Sequence, residues 1–556
     1  MKAFSLFIIG TIFLSEISAN VIFASTTSND HSQFYSKNSF DVLKYKLVIG
    51  LYQCYFSPFP KTFSAQQVIT LRVDSTLSSI TLNAVNRSIT IDSVWLPGVS
   101  FTHKHDSLKI FLDRRYQPGE ILDIKIFYRH RNVEDNAFYS FDGAVYTDSP
   151  PEGARKWMPC RDHPSDKATW ELNASVPFSV RLASTGRLAD STISGDTIIY
   201  HWISDIPAST YLITLSSNVN FLVHKKSWHK LSNPNDSIPI LIYYTKGENI
   251  SKIDTTIIPL TDYFSQKFGE YPFEKIGFAT LNNTFPWGGM ENQSMVNLKP
   301  NGYSNVNLIA HEHAHQWFGD MITCGTWADI WLNEGFGTYC QKLWVEHTAG
   351  IGAYKASMSA LADYYLAKNP GWPLYQPQWS INTPSGDDLY NQAISYNKGA
   401  CVLHQLRYVL GDSLFFNVMN QYASDTNFIF KNAYTHDFFA KAIQVSGTDL
   451  KWFFDEWVYA PNHPVYQNSF DIDSLGISSW KVSFTIKQTQ SNSIFFKMPV
   501  QILIKFSDGT DTLLRVINDV NNQVYEFPFS KKPVDLSFDP LRNILLKQAS
   551  TIKTIK

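Results

Sequence analysis

The sequence predicts a multidomain α+β fold: an antiparallel β domain first, a mixed α/β-α domain in the middle and a β-sandwich last. Three observations predict it. The chain has 556 residues, more than one hydrophobic core organises, which points to about three to four domains. Hydrophobic residues make up 44% and charged residues 17%, the balance of a globular chain and not of a disordered one. The apolar pattern also changes twice, from period two to helical near residue 229 and back near residue 464.

Residues 1–24 read as a secretory signal. Lys2 supplies a positive start, Ala3 to Leu14 is a short apolar run, and small residues at Ser18 and Ala19, or near Ala24, offer a cleavage point. That run is shorter than the roughly 20 apolar residues of a membrane span, and no other stretch reaches that length. No cysteine stands at the cleavage region for lipid attachment. The formal charge of −2, without a basic stripe, excludes nucleic acid as an expected partner. Five cysteines, an odd and sparse set, read mostly as buried thiols, although Cys324 and Cys340 could pair.

The first domain, 35–228, alternates apolar and polar side chains in segments such as Lys44 to Leu51, Val68 to Val73 and Ile121 to Tyr128. The second, 229–463, shows helical spacing in Ile253 to Phe268, Asn305 to Phe318, Leu332 to His347 and Ala353 to Leu366, with a strand at Ile276 to Leu281. The third, 464–547, returns to strands, among them Trp480 to Gln488 and Met498 to Phe506, as a small sandwich does. Residues 548–556 read as a frayed tail.

Chemistry concentrates in the middle domain. His311-Glu312-His313-Ala314-His315 is an HExxH motif, and residues four apart on a helix can both reach one ion. Ser304 reads as its N-cap and Gly319 as its stop, while His313 points off the metal face. With 15 histidines, chance matches number on the order of a few hundredths. Glu334 follows after 18 intervening residues on a second predicted helix. Two histidines and one glutamate are the ligands of a catalytic zinc with one position open for water, so one Zn²⁺ per chain is expected. Zinc acidifies water and polarises a carbonyl, and Glu312 is placed to take the proton and return it to a leaving amine. The developing oxyanion needs a second stabiliser, which a tyrosine hydroxyl could provide; among 28 tyrosines spacing selects none.

Trp287-Gly288-Gly289-Met290-Glu291-Asn292 precedes that helix. Paired glycines let a backbone approach a ligand, a strand edge can bind an extended peptide, and Glu291 could pair with a free α-amine. The same string could be a bulged strand with an exposed acid.

At these residues the sequence resembles the zinc aminopeptidases of the aminopeptidase N type, gluzincins related to leukotriene hydrolase. The likeness joins Gly288 to Asn292, His311 to Asp320, Trp331 to Tyr339 and Ser395 to Ala400, and extends to Ala154 to Thr169. It implies a thermolysin-like catalytic domain, stepwise removal of N-terminal residues from peptides, Tyr396 as the oxyanion stabiliser, and Gly288, Gly289, Met290, Glu291 and Asn292 as the substrate strand, with Glu291 reading the amine. Many relatives carry a glutamine or glutamate five residues before the arginine that matches Arg155, where this chain has Pro150. Either Glu152 takes over by a loop shift, or Glu291 holds the amine mainly alone. Larger members also carry a helical C-terminal domain that has no counterpart here, so an open cleft, or one closed by another chain, is expected.

Two other readings compete: an inactive binding or scaffold protein on the same fold, against which the complete set of ligands speaks, and an epoxide hydrolase, which needs a lipid tunnel. An endopeptidase would have no free amine for Glu291. The sequon Asn292-Gln293-Ser294 would place a glycan in the proposed substrate strand, which favours a bacterial periplasm or extracellular space.

Overall fold

The computed structural model describes residues 39–492 and 494–554; the expected signal segment lies outside them. Seven strands form the main sheet of the first domain, in the order 187–194, 197–209, 167–177, 40–50, 64–73, 121–130 and 89–95. Alternation explains its core: Tyr45, Leu47 and Ile49 are buried while Val48 between them is 41% exposed. The domain is not wholly antiparallel as expected, because Phe40–Gly50 runs parallel to Lys167–Pro177. Adjacent strands of a hairpin must be antiparallel, but these two are joined by more than a hundred residues and are free of that constraint.

The second domain begins earlier than the composition suggests. Phe221–His229 pairs with Ser237–Thr245 as a hairpin, and the five-stranded sheet continues with Ile276–Thr280, Met295–Leu298 and, at its edge, Gly289–Met290. Its helices include α1, Ser251–Phe268, α2, Val306–Ala314, and α3, Trp331–Lys368, divided at Gly350 by a φ of 82°. The α2 helix is capped by Asn305 rather than Ser304, since the Asn305 side chain accepts from the Leu308 amide at 3.1 Å. It ends four residues short of the expected Phe318, in a turn that closes where the Gly319 amide donates to the Ile322 carbonyl. The partly buried Lys167, from the first domain, donates from its ammonium to the carbonyls of Asp320 (2.7 Å) and Met321 (3.2 Å) and so ties this turn to the β domain.

The last domain packs a four-stranded sheet on a three-stranded one, with Val482, Phe484 and Ile486 facing a core shared with Met498, Val500, Ile502 and Ile504. The expected tail is instead a strand: Gln548–Lys553 pairs in parallel with Val465–Gly476. Polar side chains misled here, because backbone hydrogen bonds alone hold an edge strand. All five cysteines are free and buried, so Cys324 and Cys340 do not pair.

Candidate active site

The zinc-ligand candidates converge. His315 follows the last helical residue of α2 but keeps helical angles (φ −59°, ψ −23°), so it stays one turn along from His311. Their Nε2 atoms stand 3.1 Å apart. Glu334, in the first turn of α3, brings Oε2 to 3.5 Å from each. A tetrahedral ion with bonds of about 2.0–2.1 Å has ligand-to-ligand edges of about 3.3 Å, so these three atoms frame a zinc-sized position. His315 Nδ1 lies 2.9 Å from the Phe318 carbonyl; a carbonyl only accepts, so Nδ1 carries a proton and Nε2 is the nitrogen turned to the gap, free to bind an ion that displaces any proton there. Two imidazole nitrogens and a carboxylate oxygen within 3.5 Å of one another are the donor set a cation requires. Gly337 makes room for them, since a Cβ there would come within 2.7 Å of the His315 ring and 3.2 Å of His311.

Two more carboxylates close on the same point. Ligand atoms of Glu291, Glu312 and His315 lie within 4.8 Å of one another. Burial, reinforced by Glu291 and Glu334, pushes the Glu312 carboxyl well above its usual range. Burial likewise raises Glu291 to about 7, with His315 opposing and Glu334 adding to the shift. Three buried acids in one hollow resist ionising together, and positive charge placed among them would let them do so.

The substrate-strand residues divide. Gly289 and Met290 pair with Leu298 and Asn297 on one side only, which leaves the other edge open. Glu291 follows, and Gln316 at the end of the zinc helix clamps the turn: its amide donates to the Glu291 carbonyl at 3.2 Å and accepts from the Ser294 amide at 2.8 Å. Gly288 lines the adjoining groove. Asn292 does not reach the hollow. It is buried and accepts from Asn297 Nδ2 at 2.8 Å, a role in shaping the turn.

Tyr396 sits in a π-helical turn, Gln392–Lys398, a distortion frequent at functional sites. Its ring stacks on His311 at 5.9 Å between centroids, and burial, then Glu334, hold the phenol protonated. Gly335 and Gly399 bring this segment against α3, for a Cβ on Gly335 would stand 2.9 Å from the Gly399 Cα.

Glu152 does not line the hollow. One carboxylate oxygen lies 2.8 Å from the Arg155 guanidinium and the other accepts from the Thr383 hydroxyl; Pro150 lines the hollow in its place. Asp329 accepts from the Thr435 amide and the Thr326 hydroxyl, and Asn333 bonds Cys324 and Tyr211. Both hold the scaffold and not the ligands. Sequence reasoning missed Tyr390 and Gln316. Tyr390 faces Trp287 across the hollow, 5.7 Å between ring centroids, from an irregular segment whose sequence carries no motif. Gln316 adjoins His315 and could have been found as the next polar residue of the helix.

Residues 252–457 match the peptidase family M1 domain and residues 48–212 the peptidase M1 N-terminal domain. The probable aminopeptidase 1 of Sulfurisphaera tokodaii is 25% identical over 423 residues, covering 72% of this chain and 49% of that protein. The glutamyl aminopeptidase of Sus scrofa is 28% identical over 415 residues, covering 70% and 42%. The chain thus spans about half the length, or less, of these curated relatives. Among solved structures, an M1 zinc metallopeptidase from Deinococcus radiodurans superposes with a TM-score of 0.65 at 24% identity, covering 77% of this chain and 95% of that one. A two-domain M1 zinc metallopeptidase variant bound to L-tryptophan gives 0.67 at 23%, covering 77% and 96%. These likenesses establish the fold.

Proposed function

This chain belongs to peptidase family M1, and on that premise we propose that it is a zinc-dependent aminopeptidase that removes single residues from the free N-terminus of peptides. One observation carries the reading: His311, His315 and Glu334 frame a zinc-sized position with the carboxylates of Glu291 and Glu312 beside it. The charges also balance, because three buried acids match one dication plus the ammonium of a peptide's first residue.

Zinc held by His311, His315 and Glu334 supplies Lewis acidity, which acidifies water and polarises a carbonyl. The residues do the rest. Glu312 takes the proton from the attacking water and passes it to the leaving amide nitrogen. The Tyr396 phenol donates a hydrogen bond to the carbonyl oxygen as it gains charge. Glu291 pairs with the substrate ammonium, which fixes the scissile bond one residue from the end. The open edge of Gly289 and Met290 accepts the extended backbone of the substrate.

The test compares wild type with Glu312→Gln and Glu291→Ala on aminoacyl amides and their N-acetylated forms. Glu312→Gln should lose about 10²- to 10⁴-fold in kcat with zinc retained, and Glu291→Ala should lose the preference for a free amine. Unchanged turnover in Glu312→Gln would end the reading. The reading includes export to a periplasmic or extracellular space, supported by the pattern of residues 1–24; fractionation of expressing cells that found the whole protein in the cytoplasm would remove that part.

A further inference from the structure

Beyond His311 the hollow opens into a groove of about 470 Å³, a volume that suits small ligands. One wall is a face of α3, where Thr338, Gln341 and Lys342 follow Glu334 at helical spacing. Lys342 is eight residues from Glu334, about 12 Å along the helix axis. Several polar groups of the groove are engaged elsewhere: Gln341 donates to the Asn307 carbonyl at 2.9 Å, Asn305 caps α2, and Gln392 donates to Asn397 at 3.0 Å.

Lys342 differs from these. It is partly buried, burial lowers its pKa, and the group that opposes this is the Cys401 thiol rather than any carboxylate. No ion pair to its ammonium occurs among the described residues. A partly desolvated cation without a counter-ion is unfavourable unless a ligand supplies one.

We propose that Lys342 receives the C-terminal carboxylate of short peptides, so that the substrates are peptides of about three or four residues held at both ends, by Glu291 and by Lys342. The inference rests on the aminopeptidase reading and names its substrate class. With the first carbonyl at the zinc ligands, two or three further extended residues advance about 7–10 Å, and the flexible lysine stem spans the remainder.

The experiment measures kcat/KM for trialanine and trialanine amide, with alanine p-nitroanilide reporting basic aminopeptidase activity. Wild type should prefer the free acid by about tenfold, through KM and not kcat. Lys342→Met should bring the ratio to near one, and Lys342→Glu should reverse it. Calorimetric binding of the same two peptides to zinc-loaded Glu312→Gln protein gives the ratio without turnover. Equal affinity for acid and amide in that protein, or an undiminished preference in Lys342→Met, would overturn the proposal. Failure to turn over the anilide would instead strike the aminopeptidase reading and leave the calorimetric ratio to decide this one.

Discussion

Gly289 and Glu312 compete for the same space: a Cβ built on Gly289 would lie 2.3 Å from Glu312 Oε1 and 2.7 Å from its Cγ. The carboxylate proposed as the proton carrier therefore occupies the volume that a side chain on the substrate strand would fill. Gly289→Ala is expected to fold, because a flexible side chain can move aside, but with Glu312 displaced. The kcat should fall about a hundredfold or more while metal analysis still finds zinc. Wild-type kcat in this variant would mean that Glu312 tolerates displacement and is not the proton carrier.

Gly337 plays the corresponding part for the metal. A methyl group there meets both imidazoles, so Gly337→Ala should weaken zinc binding by about 10- to 100-fold, read as the chelator concentration that halves activity. The circular dichroism spectrum should stay unchanged. Zinc affinity equal to wild type would show that the ligands sit elsewhere in the holoenzyme.

Tyr396→Phe keeps the ring stacked on His311 and removes only the hydroxyl. We expect kcat to drop about 10²- to 10³-fold with KM and zinc content nearly constant. A rise in KM alone would assign the phenol to substrate binding.

Glu152 joins Arg155 of the first domain to Thr383 of the second. Glu152→Ala should leave the preference for free over acetylated amines intact, whereas Glu291→Ala abolishes it. A stability loss of at most about 1 kcal/mol is expected, since the pair is partly solvent-screened. If Glu152→Ala did lose the preference, the carboxylate would have to swing into the hollow when substrate binds.

Much of the site was legible because its signals are local. Four-residue spacing put His311 and His315 on one helix face, and period-two alternation exposed Tyr45 to Ile49 as a strand. Glu152 misled because two residues of offset from Pro150 invite a loop shift, while Arg155 and Thr383 hold the carboxylate where it is. Asn292 belongs to a motif in which neighbours differ in direction: Glu291 faces the hollow and Asn292 the turn. Tyr390 was invisible, since an irregular segment carries no period to say which way a ring points. Strand Gln548–Lys553 was missed because its partner, Val465–Gly476, lies about eighty residues away and contributes backbone rather than side-chain complementarity.

The contact between Gly335 and Gly399 has a bearing on engineering. With no side chain on either backbone, the segment bearing Glu334 and the one bearing Tyr396 form a single rigid joint. Altering one position cannot be compensated at the other, because both already have the smallest residue there is. A saturation library would find these two sites intolerant singly and together, and attempts to shift the phenol independently of the metal ligand would have to work through some other part of the chain.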